Sequence, residues 1–186
     1  PYSLPPCSED EAGRWHNCDG YRQLEGNDFY FGGFKNNQYH GEGVLGLENG
    51  MSYAGEWMEG KKSGQGKFTL ADGASYEGLW ENDEFSGEGK MTFADGSTSV
   101  GAFKNGLLHG QGTFNGANGT VYEGGWSEGK KSGFGKSTIA NGASYVGQWK
   151  NDVQHGRGTL TWPDGSQTSG FWSNGEVYRI TNVSEN

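Results

Sequence analysis

Apolar positions recur along this chain every 23 residues, and within each period they alternate with polar ones. Tyr30, Tyr53, Tyr76, Tyr122 and Tyr145 lie on one grid, with Ser99 and Thr168 in its two remaining places. With the tyrosine of each period as slot 1, slot 3 is glycine and slot 5 is Trp or Phe, as in Tyr53, Gly55, Trp57. Slots 2, 4 and 6 hold Ala54, Glu56 and Met58, then Glu77, Leu79 and Glu81, then Val146, Gln148 and Lys150. On a strand, slots 1, 3 and 5 share one face, and the mixed slots face water.

A second strand begins at slot 12. Slots 12 and 14 are glycine in all six full periods, as in Gly64 and Gly66. Slot 16 holds Leu45, Phe68, Met91, Phe114, Ser137 and Leu160, and slot 18 Leu47, Leu70, Phe93, Gly116, Ile139 and Trp162. Odd slots such as Gln65, Lys67 and Thr69 are polar, so each period is expected to be a hairpin with one aromatic-aliphatic face. The paired glycines leave bare backbone for a ring to lie across. Asp72-Gly73, Asp95-Gly96, Asn141-Gly142 and Asp164-Gly165 supply turns into the next hairpin. Six hairpins and a terminal strand give about thirteen antiparallel strands, and at roughly 4.8 Å per strand an array about 60 Å long.

A fixed period over nearly the whole chain predicts an all-β, elongated, single-layer antiparallel sheet of tandem 23-residue β-hairpin repeats. Such an array removes most enzyme classes. Hydrophobic residues are only 31% of the 186, but of the 36 glycines 25 occupy four fixed slots, so the composition is structural rather than disordered. The net charge of −9, with basic residues single or in the pairs Lys61-Lys62 and Lys130-Lys131, disfavours nucleic acid and anionic membrane as partners.

The frame Tyr-x-Gly-x-Trp, a polar turn, Gly-x-Gly and then Asp-Gly resembles the MORN-repeat (membrane occupation and recognition nexus) family over about residues 30–175. The resemblance implies a twisted single-layer sheet with a shallow aromatic-lined groove, serving as a scaffold or interaction module. On it, Tyr53, Trp57, Tyr76, Trp80, Tyr122, Trp126, Tyr145 and Trp149 are the expected binding row.

A longer period is superimposed. Residues 53–75 and 122–144 agree at 16 of 23 slots, which points to duplication of a three-repeat block. Residues 1–29 read as an N-terminal cap, 30–167 as six repeats, and 168–186 as a partial seventh repeat with a cap strand. Cys7 and Cys18 are expected to pair within the first cap, with two free thiols as the alternative. The pairing places the protein outside the reducing cytoplasm, as a secreted, periplasmic or cell-surface protein of bacterial type, with the cytoplasm as the alternative.

Candidate chemistry is sparse. His40, His109 and His155 occupy slot 11 of separate repeats, and His16 with two cysteines falls short of a zinc site. Glu59, Glu81, Asp83, Glu84 and Glu128 form a solvated acidic rim in the turns at slots 6–9. Gly-x-Gly lies within a strand with no helix after it, so no nucleotide fingerprint is present. No catalytic residue, metal or cofactor is expected. The expected function is a non-enzymatic protein-interaction scaffold, binding another protein or itself as a homodimer. The alternatives are a cell-surface glycan- or choline-binding module and a phospholipid-headgroup binder.

Overall fold

The computed structural model describes residues 4–8 and 14–184. Fifteen β-strands are the regular elements among them. The chain divides into two compact units, Pro1–Ala94 and Asp95–Asn186. The first contains β1 (Cys18–Gln23), β2 (Phe29–Lys35), β3 (Gln38–Gly46), β4 (Ser52–Met58), β5 (Lys61–Thr69), β6 (Ser75–Glu81) and β7 (Glu84–Thr92). These strands neighbour one another in chain order, every pair antiparallel. The second contains β8 (Thr98–Lys104), β9 (Leu107–Asn115), β10 (Val121–Ser127), β11 (Lys130–Thr138), β12 (Ser144–Lys150), β13 (Val153–Thr161), β14 (Gln167–Ser173) and β15 (Glu176–Ser184), again in chain order and antiparallel. The six hairpins and terminal strand account for thirteen of the fifteen; the remaining two, β1 and the expected C-terminal cap strand β15, come from the flanking segments.

The hairpin turns fall at slots 7 and 8. Asn36-Asn37, Glu59-Gly60, Asn82-Asp83 and their equivalents connect the strands in two residues, with both residues at positive φ, between 51° and 81° in these three. This is the type I′ geometry, whose twist matches that of the flanking strands. The Asx-Gly pairs at slots 20 and 21 instead join one hairpin to the next. Asp72 Oδ1 accepts the Ala74 N–H at 3.0 Å, and Asn49, Asp95, Asn118, Asn141 and Asp164 repeat the bond.

Register within the hairpin explains why the two slot glycines differ. Gly55 pairs with Gly66 but Trp57 pairs with Lys62, so Glu56 alone faces Ser63, Gly64 and Gln65. The longer strand bulges there, and Gly64 takes φ +57° to make it. Slot 12 is therefore the bulge glycine, and slot 14 is the one that lies beneath a ring. Alternation alone gives both the same purpose. The Glu56 carboxylate secures the bulge by accepting the Gln65 N–H at 2.8 Å, and Gln148 does the same for Arg157 at 2.9 Å.

At the N-terminal end Cys7 and Cys18 form the disulfide. Cys7 donates its N–H to Asp19 O, and Asp19 donates to Pro5 O, which lays the segment along β1. Trp15 stands edge-on to Phe34 at 4.8 Å, with the Arg22 guanidinium over both rings. A pair of hydrogen bonds with Asn37 holds the Trp15 backbone in place.

Candidate functional site

The eight residues of the expected binding row form the interior of the ring-bearing face. Tyr53, Trp57, Tyr76, Trp80, Tyr122, Tyr145 and Trp149 are buried, and Trp126 is half-buried. They interlock along the sheet. In the first unit Tyr53 contacts Trp57 edge-on at 5.0 Å and Trp80 of the following repeat at 5.1 Å. In the second, Tyr122 touches Trp126 and Trp149, and Tyr145 touches Trp149 and Trp172, at 5.1–5.3 Å.

Every polar atom of these rings has a fixed backbone partner. Each grid hydroxyl donates to the carbonyl three residues on: Tyr30 to Gly33, Tyr53 to Glu56, Tyr76 to Leu79, Tyr122 to Gly125 and Tyr145 to Gln148, at 3.0–3.1 Å. Each indole N–H donates back to the slot 14 glycine of the preceding repeat, as Trp80 does to Gly66 and Trp149 to Gly135 at 3.1 Å. Burial pushes the phenols of Tyr76, Tyr122 and Tyr145 up to about 12. It raises those of Tyr30 and Tyr53 as well, with Glu42 adding to both.

A position that alternation did not single out closes over the rings. Because of the bulge, slot 10 returns to the ring face and covers the tyrosine. Tyr39 stacks on Tyr30 at 3.8 Å and Phe85 on Tyr76 at 4.0 Å. Lys62 places Nζ 5.3 Å from Trp80 and 5.7 Å from Tyr53, and Lys131 lies 5.0 Å from both Tyr122 and Trp149. Burial lowers the Lys131 pKa, with Asp152 opposing the shift. Where slot 1 has no ring, an aliphatic slot 10 side chain moves into the space. Leu108 packs over Gly112 in the Ser99 repeat, and Val177 over Gly170 in the Thr168 repeat.

The opposite, outer face carries exposed apolar side chains. In the first unit Phe31, Val44 and Ala54 wall a depression of about 460 Å³ with Asp19 and Glu42 beside it. In the second, Phe134, Val146 and Phe171 wall one of about 540 Å³ together with Arg157, Thr159 and Thr181. Phe134 is 66% exposed and Phe31 57%, whereas the grid tyrosines are at most 2%. Among the described residues no group of three or more His, Cys, Asp or Glu is placed to hold a metal. No described helix is long and apolar enough to cross a membrane.

The pattern of buried tyrosine, bedded glycine and I′ turn repeats in register with a known family model. The MORN repeat matches residues 30–52, 53–75, 76–98, 100–121, 122–144 and 145–167. The chain belongs to the MORN-repeat family. Solved structures resembling this MORN-repeat chain include the TCP domain of Drosophila melanogaster SAS-4 (dCPAP) in complex with a proline-rich motif of Ana2 (dSTIL). It is 12% identical, with a TM-score of 0.50 over 92% of this chain and 94% of that one. The TCP10 domain of Danio rerio CPAP, in complex with a STIL peptide, is 11% identical, with a TM-score of 0.48 over 93% of this chain and 73% of that one. At 12% identity the likeness to the Drosophila domain is one of fold alone. No curated protein matches the MORN-repeat chain by sequence.

Proposed function

We propose that this MORN-repeat protein is a non-enzymatic docking scaffold whose outer sheet faces receive protein partners. One observation carries the reading: the rings that hold each sheet are sealed inside it, while Phe31 and Phe134 stand more than half exposed on the other side. Exposed apolar groups gathered around a depression are what a protein interface requires, and a monomer gains nothing from leaving them in water. The Drosophila TCP domain, in complex with a proline-rich motif of Ana2, gives a precedent for peptide capture on this fold. In this reading Tyr53, Trp57, Tyr76, Trp80, Tyr122, Trp126, Tyr145 and Trp149 support the surface from within. A glycan or choline reading that uses the eight-residue row needs exposed ring faces, and those eight rings offer little. The Cys7–Cys18 disulfide fits an oxidising setting and supports reading the scaffold as a secreted, periplasmic or cell-surface protein.

Selection from a random displayed-peptide library against the folded protein tests the reading. Enriched peptides are expected to lose binding to the Phe134→Asp and Phe171→Asp variants while the circular dichroism of those variants is unchanged. Failure to enrich any peptide, or equal binding to both variants, overturns it.

A further inference from the structure

The two depressions are the same site of the frame, five periods apart. Glu42 corresponds to Arg157, Phe31 to Val146, Val44 to Thr159 and Ala54 to Ser169. Their shape is built by the same glycines, Gly32 and Gly43 in one and Gly147 and Gly158 in the other. What separates them is the sign of the charge. Asp19 and Glu42 border the first, and Glu56 is the strand partner of Glu42 across the β3–β4 ladder. Arg157 borders the second, its guanidinium 5.4 Å from the Phe171 ring, and Arg179 approaches the same ring at 5.6 Å. Among the described residues neither guanidinium is paired with a carboxylate. Two unpaired cations on an apolar wall thus occur in a chain whose net charge is −9.

Each depression is what the other lacks. We propose that the partner of the outer face is a second copy of this chain, the Asp19–Glu42 depression of one copy receiving the Phe134–Arg157–Phe171 rim of another. The inference rests on the docking reading above and names its partner. Opposite charges next to matched apolar walls give register and orientation, and like depressions repel, so acidic does not meet acidic. A guanidinium over an aromatic ring presents a planar, pre-organised fork to a carboxylate, which favours Arg157 and Arg179 over lysines in this place.

Sedimentation velocity on four samples tests the proposal: wild type, Glu42→Arg, Arg157→Glu, and an equimolar mixture of the two variants. Both positions are exposed strand residues, and circular dichroism verifies that each variant folds. The wild type is expected to associate with rising concentration, and less so in high salt. Each variant alone sets like charges against each other at positions 42 and 157 and should associate about tenfold or more weakly. The mixture restores opposite signs and should recover association. A wild type that stays monomeric at every concentration, variants that associate like wild type, or a mixture that fails to recover each overturns the proposal. A monomeric wild type that still enriches peptides sensitive to Phe134→Asp removes self-association alone and leaves the docking reading standing.

Discussion

The ring of Tyr53 lies directly on Gly66, so close that a Cβ on that glycine would fall 2.6 Å from Tyr53 Cε2. The same pairing joins Tyr76 to Gly89, Tyr122 to Gly135 and Tyr145 to Gly158. Gly66→Ala must therefore displace a ring that is wedged between two indoles, at a cost of about 3 kcal/mol. Gly73 has open space around its Cβ position but sits at φ +86°. Gly73→Ala should cost only the ~1–2 kcal/mol of a left-handed non-glycine residue. Urea denaturation of the two variants measures the difference, and equal losses would mean the ring moves aside freely.

Two hairpins carry glutamate where a left-handed conformation is required, Glu59 at φ 52° and Glu128 at φ 51°. The equivalent slot in other repeats is asparagine, which tolerates that region far better. Glu59→Asn is expected to stabilise by about 0.5–1 kcal/mol. A thermal melt no higher than wild type would show that the turn is not strained.

Lys131 occupies a seat that Phe85 fills elsewhere by stacking on its tyrosine. The lysine must lose hydration to sit there, and burial lowers its pKa accordingly. Lys131→Phe should recover an aromatic pair on Tyr122 and raise stability by roughly 0.5–1.5 kcal/mol. The backbone bonds of Lys131 to Asp152 do not involve the side chain and should persist. A loss of stability would identify the ammonium over Tyr122 and Trp149 as the favoured occupant.

Alkaline pH should unfold the protein in a defined window. A phenol ionises near pH 10 in an unfolded chain, while those of Tyr76, Tyr122 and Tyr145 are held up to about 12. Below pH 10 both states keep the proton, and the stabilisation is complete. Between pH 10 and 12 the unfolded chain releases protons that the folded one retains, so stability falls across that interval. Tyrosinate absorbance and the β-sheet dichroism signal should change together. Absorbance that rises first, with the sheet intact, would mean the hydroxyls are reachable by water.

Much of the fold could be read from the chain because slot 3 is always glycine, slot 14 is glycine in all six full periods, slot 5 is always Trp or Phe, and slot 1 is tyrosine in all but the Ser99 and Thr168 repeats. Slot 10 shows the limit of that reading. Tyr39, Lys62, Phe85, Leu108, Lys131, Gln154 and Val177 share no chemistry, so no periodic signal marks them. Their common return to the ring-bearing face comes from the irregular register within each hairpin, which breaks the alternation used to assign faces. The outer depressions were equally hidden. Phe31 and Val146 occupy slot 2 and Phe134 slot 13, among Glu77, Glu123 and Gln65 in the same slots, so the face averages to polar. The binding row was legible as aromatic, but nothing in its spacing says whether a ring is covered. That depends on slot 10 and on the indole of the next repeat.

The interleaved rings also make the protein an optical antenna. Tyr145 stands between Trp149 and Trp172, and Tyr122 between Trp126 and Trp149, each about one ring's width away. Light absorbed by either phenol passes to an adjacent indole before it can be emitted. Emission from the closed repeats is therefore expected to be that of the indoles rather than of the grid tyrosines.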